Sequence, residues 1–305
     1  MSKRAKAYFF LILTTITWGA LLPIVKLGFN DSEITPFRYL FYRFLLAGIL
    51  SIPIIIHYLK KIKHKWQTIR TIILLEIIET TLALSCLYIG LNMTSALETN
   101  LIATSLPLFV ILGGIIFLKE RQDKREWLGL IFALIGTMLI SIEPLWSGND
   151  QFSGSITGNL LVVVHNILTA IYLILAKKHY KKIPKLFVSS ISFFVGIVTF
   201  GFFSLAELNF NFTNLASNII FELSSPLVLG VIAFAAIFGS IIGLTAYIKG
   251  QNEIEASEAS LFTYLQPAIY IPLGYILLKE TVTPIQIFSL LIVVFGVYIA
   301  GSKKK

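Results

Sequence analysis

Glu79 lies near the centre of an apolar run extending from about residue 70 to about residue 92. If that run is a helix entering a bilayer, Glu79 sits roughly 14 Å deep at about 1.5 Å per residue, close to mid-membrane. A carboxylate in hydrocarbon without a partner is so unfavourable that it marks a functional site by default. Two chemistries suit it: binding a cationic or zwitterionic amine, and taking up a proton. The competing reading is a structural pair with Arg43 or Lys26. Glu76, one turn shallower on a neighbouring face, is expected to reach the inner interface.

His165, Thr169 and Tyr172 follow one another at i, i+4 and i+7 in another apolar run, which puts a polar stripe on one helix face, turned to the bundle interior. A histidine titrating near neutral pH can relay protons, so Glu79 and His165 are the candidates for proton coupling. A lone histidine also serves as a satisfied packing residue. Asn166 beside it points in a different direction. Asn100 and Thr104 stand one turn apart before Pro107, and Tyr264 and Gln266 precede Pro267. Each proline removes an intrahelical hydrogen bond and frees a carbonyl that lipid cannot satisfy. One such kink reads as tight packing; a matched pair argues for a water-filled or ligand-lined centre.

Trp18 shares a helix face with Thr14 and offers an aromatic wall to a cation or flat ring, or plain packing. The candidate substrate site is therefore Trp18, Glu79, Asn100, Thr104, His165, Thr169, Tyr172, Tyr264 and Gln266. Gly239 and Gly243 are a small-xxx-small pair for close helix approach. Glu98 and Glu258 read as caps at helix starts, favoured by the positive end of the dipole.

The elements that must position these groups are membrane-spanning helices. Of 305 residues, 56% are hydrophobic and 13% charged, which no ordinary soluble domain of this size shows. The apolar runs are about twenty residues long, enough for a helix to cross a core of roughly 30 Å, and they lack the alternation of a barrel strand. Ten spans are expected, at roughly 7–29, 36–58, 70–92, 95–118, 125–143, 158–176, 185–205, 226–248, 256–278 and 284–301. Thr35-Pro36, Ser225-Pro226 and Thr283-Pro284 place a hydroxyl before a first-turn proline, and Ser95 with Glu98 forms a capping-box pattern.

A formal charge of +9 raises the question of a nucleic-acid partner. All of the 25 basic residues except Lys26, Arg38, Arg43 and Lys279 fall in alternate loops or at the chain ends, which is membrane topology and needs no polyanion. The positive-inside rule puts both termini in the cytoplasm of a cell spanned at its plasma membrane. Cys86 is the sole cysteine, which leaves no internal disulfide and no cysteine-based metal cluster. The first apolar segment lacks a small-residue cleavage site and reads as a retained helix.

The stretch from Gly90 to Glu120 occurs twice. Shifted by 160 positions, Gly90, Asn92, Ala96, Glu98, Leu101, Pro107, Ile111, Gly114, Ile116, Leu118, Lys119 and Glu120 fall on identical residues ending at Glu280, and the register continues through Leu130 and Gly136. The chain divides into residues 1–150 and 151–305. With five spans each, an odd number, the halves enter the membrane from opposite faces, the arrangement of an alternating-access carrier. The fold class is an all-α integral membrane protein of ten helices in two inverted five-helix repeats.

Tyr88-Ile-Gly90, Thr94-Ser-Ala96, Ser105-Leu-Pro107-Leu-Phe, Leu118-Lys-Glu120-Arg, Trp127-Leu-Gly129 and Gly136 resemble the EamA-like repeat of the drug/metabolite transporter superfamily. So do Gln266-Pro267, Leu278-Lys-Glu280, Pro284-Ile-Gln286 and Gly296, with Trp18-Gly19 and Arg43-Phe44. The resemblance implies a carrier with a central cavity drawn from the first, third, fourth, sixth, eighth and ninth helices and covered by the last helix of each repeat. It implies cargo among amino acids, purines, sugars, organic cations and other metabolites, commonly exported. Glu76 and Glu79 depart from the pattern, which has small or apolar residues there.

The expected function is secondary export of a small polar metabolite, amino acids or organic amines first, in exchange for protons. No Walker-type glycine loop is present, and no cofactor is implied. A flippase of lipid-linked cargo is the nearer alternative. An intramembrane enzyme is the remote one: His57, His64, His165 and His179 have no paired metal-ligand spacing, and no serine has a paired base.

Overall fold

A bilayer core offers no partner to an open backbone N–H or C=O, so a helix, which pairs these groups within the segment, is what apolar runs of this length can form. The computed structural model describes residues 3–32, 34–62, 65–94, 96–103, 105–120, 123–147, 155–279 and 284–301. Helix α1 is Lys3–Asp31 and α2 is Pro36–Leu59. The third stretch is α3 (Lys65–Glu76), a π-helical segment π1 (Ile77–Ala83) and α4 (Leu84–Met93). Then come α5 (Ala96–Ala103), α6 (Leu106–Leu118) and α7 (Lys124–Ser147).

The second part follows the same order. Helices α8 (Ile156–His179) and α9 (Lys185–Glu207) lead to α10 (Phe212–Ser224). The next stretch is α11 (Pro226–Phe234), π2 (Ala235–Leu244) and α12 (Thr245–Glu253). It is followed by α13 (Ala256–Ser260), a 3₁₀ turn (Leu261–Leu265), α14 (Pro267–Leu278) and α15 (Pro284–Gly301).

Among the described residues, seven helical stretches are long and apolar enough to cross a membrane, and Leu106–Leu118 and Ile287–Gly296 are shorter apolar helices. The solvent-facing pattern is the reverse of a soluble protein. Phe117 and Tyr298 are each 73% exposed, while Arg43, Glu76, His165 and Asn166 are buried. Outward apolar and inward polar surface is what lipid around the bundle demands.

The caps hold in part. Thr35 Oγ1 accepts from the Arg38 amide at 3.3 Å, whereas Ser225 precedes Pro226 without a side-chain cap bond. Ser95 and Thr283 lie outside the described residues. Helix α10 is a departure: the stretch from about 206 to 225 reads as a connection, yet Asn211 Oδ1 accepts from the Asn214 amide at 3.0 Å and starts a helix. Its Leu215, Ile219 and Leu223 lie against the core while Ile220 and Phe221 face outward, and Glu222 ties it to α2 through Arg38 and Tyr42.

Helices α7 and α15 pack along each other, and glycine is what lets them meet. A Cβ on Gly136 would stand 2.7 Å from the Ser289 carbonyl oxygen, and one on Gly296 would stand 2.6 Å from the Gly129 carbonyl oxygen. Helix α1 packs against π2, α12 and α14, and α8 against α4, π1 and α6, and a cavity lies among these elements.

Candidate substrate cavity

The site begins with two widened turns. In a π-helical segment the hydrogen bonds reach one residue further than in an α-helix, which shifts the faces of the residues that follow. Segment π1 carries Glu79 and Thr80, and π2 carries Gly239 and Ser240; both line one cavity of about 140 Å³. At about 10–15 Å³ per water-sized position, that is room for on the order of ten non-hydrogen atoms.

Of the residues expected in the site, Trp18, Glu79, His165, Thr169, Tyr172 and Gln266 line this cavity. Asn100 is buried but stands outside the lining. Tyr264 is fully buried elsewhere, packed with Ile111, Leu130, Ala133, Leu261 and Val293. Thr104 lies outside the described residues. Asn166 does point differently from His165: its Nδ2 donates to the Ile102 carbonyl at 2.7 Å and to Ser105 Oγ at 2.9 Å. It nevertheless reaches the cavity wall. Asn166 thereby adds a side-chain donor to backbone at the break before Pro107, where a water-filled or ligand-lined centre was expected. Thr15 Oγ1 does the same at the second break, donating to the Phe262 carbonyl at 3.0 Å.

Glu79 faces the cavity with its Oε2 buried and without a hydrogen-bond partner. Thr169 is its hydroxyl neighbour, and Glu76 is a like charge within electrostatic reach. The two cations considered as its structural partners are engaged elsewhere. Arg43 donates from Nε to Ser240 Oγ at 2.7 Å and from Nη1 to Tyr88 OH at 2.8 Å, and Lys26 Nζ donates to the Leu91 and Thr94 carbonyls, each at 3.1 Å.

His165 Nδ1 lies 3.0 Å from the Ala83 carbonyl oxygen at the end of π1. A carbonyl only accepts, so Nδ1 carries the hydrogen and Nε2 of the neutral ring keeps its lone pair. Thr169 Oγ1 is 3.3 Å from the same Nδ1. Trp18 stacks on Tyr247 with ring centres 5.2 Å apart, and its indole N–H donates to the Gly239 carbonyl at 3.0 Å. The aromatic wall is thus fixed at one end by π2.

Glu76 departs from its expected place at the inner interface: it is fully buried. Its Oε2 accepts from Thr80 at 2.8 Å and Ser192 at 2.7 Å, and its Oε1 from Tyr172 at 2.9 Å and Tyr180 at 3.3 Å. Sequence spacing gave no sign of this cage, because the hydroxyls come from three different segments. Arg43, Ser192, Ser240 and Tyr247 are further lining residues not singled out for the site. Arg43 carried a visible signal, a basic residue inside an apolar run.

At one end of the bundle a second network closes. Glu120, in the connection after α6, accepts from the Ala256 amide at 2.9 Å, the Ser257 amide at 3.2 Å and Ser257 Oγ at 2.8 Å, and pairs with Lys177 at 3.1 Å. Burial pushes the Glu120 carboxyl up, but the Lys177 ammonium and these donors outweigh it and hold it below the ordinary carboxylate value. Glu258 accepts from Arg4 at 2.6 Å and from Tyr8 at 2.6 Å, an ion pair rather than a simple cap.

Comparison with known proteins gives the family. Residues 5–142 and 156–302 match the EamA-like transporter family. An uncharacterized transporter of Archaeoglobus fulgidus is 26% identical over 300 residues, covering 98% of this chain and 100% of that protein. The uncharacterized transporter YetK of Bacillus subtilis is 24% identical over 222 residues, 72% of this chain and 64% of its own length. A protein crystal structure superposes with a TM-score of 0.72 at 15% identity, covering 97% of this chain and 96% of that one, which speaks for the fold alone. The chain belongs to the EamA-like transporter family of the drug/metabolite transporter superfamily and is a multi-pass membrane transporter, not an enzyme.

Proposed function

We propose that this transporter exports small polar metabolites bearing an amine, amino acids or organic amines, in exchange for protons. Ten helices in two inverted halves, residues 1–150 and 151–305, alternate the access of the cavity, in the plasma membrane with both termini in the cytoplasm. Glu79 holds the ammonium or the proton and His165 shares the proton path. Trp18, Thr169, Tyr172 and Gln266 shape the pocket around them, and Asn100, Thr104 and Tyr264 complete the proposed set. The observation that carries this reading is the Glu79 carboxylate oxygen, buried at the cavity without a partner. Such a group is costly unless something arrives to satisfy it. A cavity of about 140 Å³ favours a small metabolite over lipid-linked cargo.

The test is substrate-dependent proton movement in proteoliposomes, screening amino acids, organic amines and sugars against a luminal pH dye. The expected result is a signal with amines or amino acids that disappears in Glu79→Gln. An unchanged signal in that variant would return Glu79 to a structural role.

A further inference from the structure

The cavity wall contains a second charge that the transport reading leaves unused. Arg43 is only 6% exposed and lines the cavity, yet none of the ion pairs among the described residues includes it. It donates to two neutral hydroxyls, Ser240 and Tyr88, stands beside a third, Tyr39, and its guanidinium also lies 5.4 Å from the Phe44 ring centre and 5.9 Å from that of Tyr88. A guanidinium carries more N–H donors than two hydroxyls accept, in a planar fork that matches a carboxylate. Gly239 leaves space beside the fork: a Cβ there would come within 3.5 Å of Nη2. Among the described residues, the cavity therefore holds one carboxylate without a cation and one guanidinium without an anion.

Among the described residues no ion pair joins the two charges. Tyr88, on which Arg43 rests, follows Glu79 by nine positions along the π1–α4 stretch, on the order of 13 Å of helix axis. Leu84 and Leu87 line the cavity between them, and the Trp18–Tyr247 stack forms part of the same wall. A charge separation equal to that rise, less two charge-assisted bonds of about 2.8 Å each, would leave on the order of 7 Å for the cargo, the length of about two residues of extended chain.

We infer that Arg43 anchors an anionic group and that the cargo is an extended zwitterion, its carboxylate on Arg43, its ammonium on Glu79 and its apolar middle on Leu84 and Leu87. A short peptide or an ω-amino acid has this form; an α-amino acid, with both charges on one carbon, reaches only one end. The assignment rests on the transport reading and narrows its cargo.

The experiment is calorimetric binding to the full-length protein in detergent, with 6-aminohexanoate, hexylamine, hexanoate and glycine as probes. The wild type is expected to bind 6-aminohexanoate at least tenfold more tightly than each of the other three. Arg43→Gln should abolish the preference for 6-aminohexanoate over hexylamine, and Glu79→Gln should abolish its preference over hexanoate. Equal binding of hexylamine and 6-aminohexanoate by the wild type, or no binding of any probe, overturns the assignment, and glycine binding as well as 6-aminohexanoate overturns the spacing. Should Arg43→Gln fail to fold, Arg43→Lys keeps the charge and loses the fork; it should weaken 6-aminohexanoate alone, and full retention of the wild-type preference counts against the anchor. Flux of labelled probe in proteoliposomes separates the two readings. Selective binding without flux removes the transport reading and leaves the anchor, whereas equal flux of all probes removes the anchor and leaves transport.

Discussion

Glu76, the last residue of α3, and Glu79, in π1, are three residues apart and have opposite hydrogen-bond environments. Four hydroxyls converge on Glu76, and a glutamine there would present an NH₂ group where two of them need an acceptor. Glu76→Gln is expected to cost about 1–3 kcal/mol of stability, the penalty for leaving buried donors unsatisfied. Glu79→Gln removes a charge that has an unpartnered buried oxygen, and should leave the protein at least as stable as the wild type. Paired melting curves in detergent decide the matter: equal loss in both variants would mean that the two carboxylates share one structural role. At this scale the sequence disclosed Glu79, because a carboxylate in mid-span is visible by depth alone. It could not disclose the cage around Glu76 or that Arg43 and Glu79 line one cavity without pairing. Both depend on which way side chains of different helices turn, and spacing along one chain does not specify that.

At the scale of elements, the interruptions of the helices organise the cavity. Segments π1 and π2 occupy positions related by the 160-residue shift, and so do the breaks before Pro107 and Pro267. The prolines announced the breaks in the sequence; the π turns had no such signal, since a π-helix uses the same apolar residues as the α-helix on either side. Helix α1 meets π2 at glycines: a Cβ on Gly243 would stand 2.5 Å from Trp18 Nε1, 2.9 Å from the Phe238 carbonyl oxygen and 2.9 Å from Thr17 Oγ1. The small-xxx-small spacing of Gly239 and Gly243 was legible as close approach, though not that Trp18 of the cavity wall was what approached. Gly243→Ala must displace the indole from its bond to Gly239. Overpacking of this kind costs about 1–3 kcal/mol, and because the displaced group is part of the wall, transport should fall further than stability. A variant with wild-type flux and a lowered melting temperature would show that Trp18 is packing only.

Across the whole molecule, the two ends of the bundle are tied by related contacts. Lys26 Nζ reaches the Thr94 carbonyl at one end and Lys177 Nζ reaches the Ile254 carbonyl at the other, and Thr94 and Ile254 differ by the same 160 positions. Likewise Asn166 bonds Ile102 while Thr15 bonds Phe262, again 160 apart. Under the proposed arrangement of two inverted halves, these matched contacts are the ones a change of access would have to break. At the Lys177 end, Glu120 is the hub, joining the end of α6 to α8 and to the start of α13. Its folded carboxyl is held below the ordinary value of 4.5, so by linkage the stability it supplies is fully present above that value and is lost as pH falls through the lower, folded one. Glu120→Gln removes the charge that Lys177 answers. Its melting temperature should lie below that of the wild type at pH 7, and the gap should close on acidification below pH 4.5 as the wild-type carboxylate takes up its proton. A gap independent of pH would mean that shape rather than charge holds this end shut, and the ties would then have to be sought in the Arg4–Tyr8–Glu258 cluster beside it.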